Sequence, residues 1–82
     1  LRYKDRALVA MKVDEKGRLW VSFEGTGMSL YNRQNQTFTN FTTRDGLVND
    51  VIYDILEDSE GSLWLTTNAG LSKFNPDRKE FR

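Results

Sequence analysis

The chain has 82 residues, which caps it at one domain with a marginal core, since a chain this small buries only about 60% of its unfolded surface. It contains neither cysteine nor histidine, which excludes disulfide staples, Cys/His zinc sites, histidine acid–base chemistry and Ser–His or Cys–His nucleophile pairs. Twelve basic and twelve acidic side chains cancel, and no long apolar stretch occurs, so neither nucleic acid nor membrane contact is expected of this segment.

The chain opens on "LRYKDR", residues 1–6, whose role becomes readable only from the chain end. Next comes "DEKGRLWVS", Asp14 to Ser22, which returns as "DSEGSLWLT", Asp58 to Thr66, 44 residues later. The same offset pairs Met11 with Ile55, Gly17 with Gly61, Leu19 with Leu63 and Trp20 with Trp64. Beyond the Leu-Trp pair the offset falls to 43, matching Gly27 with Gly70, Met28 with Leu71, Tyr31 with Phe74 and Phe38 with Phe81. The one-residue difference falls between Phe23 and Gly27, against Thr67 and Gly70, where a loop absorbs it and a strand would not. Residues 7–43 form the first unit. It ends in a strand, "QTFTNFT", Gln36 to Thr42, in which Phe38 and Phe41 stand three apart and break strict alternation, so a bulge or bend is expected there.

Residues 44–50 join the two units, within the loop "TTRDGLVND", Thr42 to Asp50. Residues 51–82 form the second unit, and its pattern is plain. "VIYDILED" is apolar, β-branched and aromatic, as a buried strand would be. "DSEG" is a hairpin turn with Gly61 supplying positive φ. "SLWLTT" is the second strand, "NAG" a tight turn, "LSKFN" an alternating third strand, "PDRK" a turn, and Phe81 begins a fourth strand. The repeat implies the same order in the first unit. Each unit is thus a four-stranded antiparallel meander of about 43 residues, the signature of an all-β propeller blade. No stretch keeps a helical period with caps, so no helix is expected.

Placed after Phe81-Arg82, the opening residues continue the pattern, with Tyr3 falling near Phe41. Residues 1–6 are therefore expected to supply an outer strand to a neighbouring blade, the second unit lacking most of its own. Two blades cannot close a ring and would leave apolar faces open. The expectation is either cyclic assembly of three or four copies, giving six or eight blades, or flanking blades in a larger propeller.

The stretch Gly46 to Phe81 resembles the two-component regulator propeller repeat: Gly-Leu, Val, Asp-x-x-Gly, Leu-Trp-aliphatic, Gly-Leu, an aromatic, Asn-Pro and Phe. Both copies together extend this resemblance over nearly the whole chain. It departs at Ser22 and Thr66, where the family most often has Gly, and at Arg33, where Pro is usual. No Trp-Asp dipeptide or Gly-Gly pair supports the WD40 or Kelch pattern. The resemblance implies the extracytoplasmic sensor of a bacterial hybrid histidine kinase, periplasmic in its natural parent and sensing oligosaccharides.

Gly17, Trp20, Gly61 and Trp64 repeat with the blade and are assigned to architecture. The carboxylates of Asp14 and Glu15, and of Glu57, Asp58 and Glu60, invite comparison with glycoside hydrolysis or calcium binding. Turn chemistry accounts for them. No catalytic residue, metal or cofactor is expected. Loops between the second and third strands share one end of a propeller with the connections between blades. The ligand candidates there are Glu24, Thr26, Arg44, Asp45, Asn49, Asp50 and Asn68. The reading is a non-enzymatic sensing segment for oligosaccharides; the alternative is a self-assembling fragment or engineered scaffold with no ligand of its own.

Overall fold

The computed structural model describes residues 5–82. Their eight strands form two separate four-stranded sheets, each an antiparallel meander in chain order. The first sheet holds β1 Leu8–Val13, β2 Leu19–Phe23, β3 Met28–Asn32 and β4 Thr37–Phe41. The second holds β5 Ile52–Glu57, β6 Leu63–Thr67, β7 Gly70–Asn75 and β8 Glu80–Phe81. These are the two expected blades. Residues 1–4, Tyr3 among them, lie outside the described residues, and so does most of the outer strand expected over residues 1–6.

The repeated sentence folds the same way twice. The Asp14 N–H bonds to the Arg18 carbonyl at 2.9 Å, and the Asp58 N–H to the Ser62 carbonyl at 3.0 Å. Both turns carry a glycine in the left-handed region, Gly17 at φ +80° and Gly61 at φ +83°. At the other end, the Glu24 N–H meets the Ala7 carbonyl, as the Asn68 N–H meets that of Val51. Glu24 and Asn68 are therefore equivalent positions, and the one-residue difference does lie in the loop after them.

Three expectations change. The bulge expected in β4 is absent: β4 pairs with β3 in unbroken register from Asn32↔Thr37 to Met28↔Phe41. Phe38 and Phe41 point to opposite faces because a blade is apolar on both. Phe41 packs on Trp20 and Phe74, and Phe38 on Phe23 and Tyr31. The bulges stand instead in the first strand of each sheet, between Leu8 and Ala10 and between Ile52 and Asp54, so Val9 and Tyr53 are the extra residues. Second, the inter-blade loop contains one 3₁₀ turn, Thr43–Asp45. Thr42 caps it: its hydroxyl accepts from the Arg44 N–H while the Asp45 carboxylate accepts from the Thr42 N–H. Three residues are too few for a period to show in the sequence.

Third, the two architectural tryptophans differ. Trp20 is fully buried, edge-on to Phe74 with centroids 5.2 Å apart, whereas Trp64 is only half-buried. The sheets stack face to face. Ala10, Trp20, Met28 and Phe41 of the first meet Ile52, Ile55, Leu63, Leu65 and Phe74 of the second, with Leu47 of the connection between them. Trp20 faces this junction. Trp64 occupies the same blade position on the far face of the second sheet, beside Leu56 and Leu71, which are 52% and 61% exposed. The far face of the first sheet exposes Met11 and Val13 and half-buries Leu19 and Tyr31, although Val21 and Phe23 beneath are fully buried.

Gly27 ties the junction to the connecting loop. Its φ is +78°, and a Cβ there would stand 2.3 Å from the Phe41 carbonyl oxygen. Only glycine lets the β2–β3 loop pass so close, and its N–H bonds to the Asp50 carbonyl at 2.9 Å.

Candidate functional site

A meander sends alternate loops to opposite ends. One end carries the turns 14–18, 33–36, 58–62 and 76–79; the other carries the loops 24–27, 42–51 and 68–69.

The first end is a structural clasp. Asp14 is buried, and each of its carboxylate oxygens accepts two hydrogen bonds. Oδ1 takes the N–H groups of Lys16 and Arg18 at 2.9 Å; Oδ2 takes the Trp20 indole N–H at 2.8 Å and Arg18 Nε at 2.6 Å. Arg18 also reaches the second blade, donating to the Pro76 carbonyl and, at 3.0 Å, to Asp77. Lys16 meets the same Asp77 oxygen at 3.0 Å, and the Glu15 N–H donates to Glu57. Burial opposes ionisation of Asp14, but the indole N–H, the Arg18 amide and the guanidinium together hold its carboxyl below the usual carboxylate range. Asp58 repeats the cage without the arginine: the Trp64 indole N–H first, then the Ser62 and Glu60 amides, lower its carboxyl against the cost of burial. Lys16 and Arg18 lower Asp77. These carboxylates thus organise turns and indoles, as the turn reading expected. The Asp–Trp bond was not among the expectations from sequence, although the six-residue spacing kept in both copies signals it.

The opposite end holds the predicted ligand candidates. An open groove of about 440 Å³ is lined by Asn40, Thr42, Thr43, Arg44, Asp45 and Asp50. Three candidates, Arg44, Asp45 and Asp50, thus share one groove. It lies beside β4, the last strand of its sheet, and so on the rim. Thr26 adjoins it, its carbonyl accepting from Asn40 Nδ2 at 2.9 Å. Several candidates spend an oxygen on the loop itself. Asp45 accepts from the Thr42 N–H, Asp50 from the Thr43 N–H and Asn49 from the Val51 N–H, while the Thr26 hydroxyl donates to the Phe23 carbonyl. The Arg44 guanidinium and the Glu24 carboxylate have no hydrogen-bond partner among the described residues. Glu24 and Asn68 stand apart from the groove, beside the entries to β1 and β5. Asn40 and Tyr53 also stand at this end, without a signal in the sequence pattern. The Tyr53 hydroxyl donates to Asn68 Oδ1 at 2.9 Å. Among the described residues no cluster of three or more acidic side chains is placed to hold a metal ion.

Comparison with known proteins accords with this geometry. Residues 46–69 match the family model for the two component regulator propeller. No curated protein matches the chain. Among solved structures, it is similar to the extracellular domain assigned to the hybrid two-component system BT4673 from B. thetaiotaomicron, with 26% identity and a TM-score of 0.79. A second structure from B. thetaiotaomicron, described as that of a one-component system BT4673, is 22% identical with a TM-score of 0.81. The extracellular domain assigned to the hybrid system BT3049 of B. thetaiotaomicron is 26% identical with a TM-score of 0.74. Each match covers 92% of this chain but only 12%, 12% and 10% of the other. The chain therefore spans about an eighth of the first solved domains it matches.

Proposed function

We propose, from the premise that this chain carries the two-component regulator propeller repeat, that it is a two-blade segment of an extracytoplasmic sensor. The segment binds and does no chemistry. The observation that carries the reading is the pairing of the family repeat with a blade pair similar to extracellular domains of such systems. Its ligand is of oligosaccharide type, and its place is the loop end. Arg44 and Glu24 offer charged groups with no partner among the described residues, and Asn40 and Thr43 line the same groove as Arg44 with polar atoms. The parent would be periplasmic. Flanking blades would cover the two outer faces, in keeping with the small share of the solved domains that the chain spans.

A second reading is favoured by the faces themselves. The far face of the second sheet repeats the face that the first sheet uses in the junction: Trp64 stands for Trp20 and Leu71 for Met28. The far face of the first sheet presents Tyr31 where the junction has Phe74. One copy can therefore dock on the next head to tail, with three or four closing a ring. A thermal-shift and calorimetric screen against defined glycan fragments tests the sensing reading. Saturable binding that Arg44→Ala or Glu24→Ala weakens supports it; a closed ring that binds no fragment favours the scaffold.

A further inference from the structure

We infer that Tyr53 and Asn68 form a stacking subsite for a neutral sugar ring, an assignment that rests on the oligosaccharide reading above and gives it a place. Tyr53 is the extra residue of the β5 bulge, is 59% exposed, and makes no ring contact among the described residues. Bulges re-aim side chains and gather beside binding sites. This one turns a tyrosine outward at the loop end of the first strand of its sheet, the strand that lines the central channel in a propeller. The hydroxyl bond to Asn68 Oδ1 fixes the ring, and the Asn68 N–H bond to the Val51 carbonyl fixes the loop that carries Asn68. Asn68 Nδ2 keeps both hydrogens free among the described residues. The pair thus offers an apolar aromatic face with donors at its edge, which matches the C–H face and hydroxyl rim of a pyranose.

The first blade serves as an internal comparison. It builds the same bulge with Val9 and the same loop position with Glu24, so the fold requires neither the tyrosine nor the amide. Val9 stays 43% exposed although the second blade is packed against its sheet. A further blade stacked on the second would accordingly leave Tyr53 open. The local charge selects the ligand class. Asp50 and Asp54 flank Tyr53 in the chain, and no lysine or arginine occurs from Asn49 to Asp58, which disfavours sulfated and uronic sugars.

The test is isothermal titration of this chain with cellohexaose, maltohexaose, xylohexaose and mannohexaose, and with a sulfated chondroitin disaccharide. At least one neutral hexasaccharide should bind. Tyr53→Ala should weaken it about tenfold, the loss of about 1.4 kcal/mol of stacking. Tyr53→Phe, which keeps the ring, should cost about threefold, and Val9→Ala should leave affinity unchanged. Unfolding midpoints of the variants confirm that the fold survives. Neutral-sugar binding that persists within twofold in Tyr53→Ala overturns the subsite while the oligosaccharide reading stands. Preference for the sulfated disaccharide overturns the ligand class. Absence of binding by every sugar overturns both.

Discussion

Removing the Asp14 carboxylate should be far more damaging than removing its copy, Asp58. Asp14→Ala strips four acceptor contacts from a buried site and leaves the Trp20 N–H, two backbone amides and the Arg18 guanidinium without their partner. Breaking a buried ion pair from one side costs about 3–5 kcal/mol, because the remaining charge stays desolvated. Arg18 would keep Asp77 and the Pro76 carbonyl, which places the loss toward the lower part of that range. Asp58→Ala removes three contacts of the same geometry and only a long-range attraction to Lys73, at a half-buried site where water replaces them. There the cost should be clearly smaller than for Asp14→Ala. The gap between the two variants reports what burial and the Arg18 ion pair add together. Urea unfolding followed by tryptophan fluorescence measures both, and a drop of 3 kcal/mol corresponds to about 12 °C or more in Tm. Equal losses in the two variants, or a loss below about 1.5 kcal/mol for Asp14→Ala, would refute the claim that burial and the Arg18 ion pair make the first cage the stronger of the two.

Gly27→Ala should destabilise by about 2–5 kcal/mol, combining left-handed strain with overlap on the Phe41 carbonyl, whereas Gly70→Ala, at φ +106° with open space around it, should cost only about 1–2 kcal/mol; denaturant midpoints separate them. Trp20→Ala should cost about 3–5 kcal/mol as a core truncation, and Trp64→Ala about 1 kcal/mol, while reducing any self-association. Asp14, Asp58 and Asp77 all have carboxyls lowered in the fold. The unfolded chain therefore binds protons first, and the stability they contribute is complete above about pH 5 and is lost as pH falls through about 3.9 toward their folded values. A urea-midpoint series from pH 6 to pH 2 should decline most steeply below pH 4, and a flat series contradicts the assignment.

The blades were legible because a blade must be spelled once for each copy, and Gly17, Trp20, Gly61 and Trp64 keep their spacing. The clasp was not, because Arg18 and Asp77 stand 59 positions apart and no local pattern announces their contact. Nor were the bulges. Val9 and Tyr53 sit in ordinary β-branched and aromatic runs, and the break in the Phe38–Phe41 spacing pointed to β4, whose two phenylalanines simply serve two faces. Of the ligand candidates, the positions were legible but not their availability. Asp45, Asn49 and Asp50 are residues that turns favour, and each commits an oxygen to a backbone N–H of its own loop. The side chains of Arg44 and Glu24, types with no such turn role, have no hydrogen-bond partner among the described residues.

The outer faces are proposed as docking faces for a further blade, a flanking blade of the parent or a second copy. The most direct measurement is molar mass by light scattering over a concentration series, on the wild-type chain and on Trp64→Glu. Docking between copies predicts a mass that rises above the 9.5 kDa of one chain toward three or four times that value, and a variant that stays at one chain. A wild-type mass fixed at one chain at every concentration would contradict docking between copies.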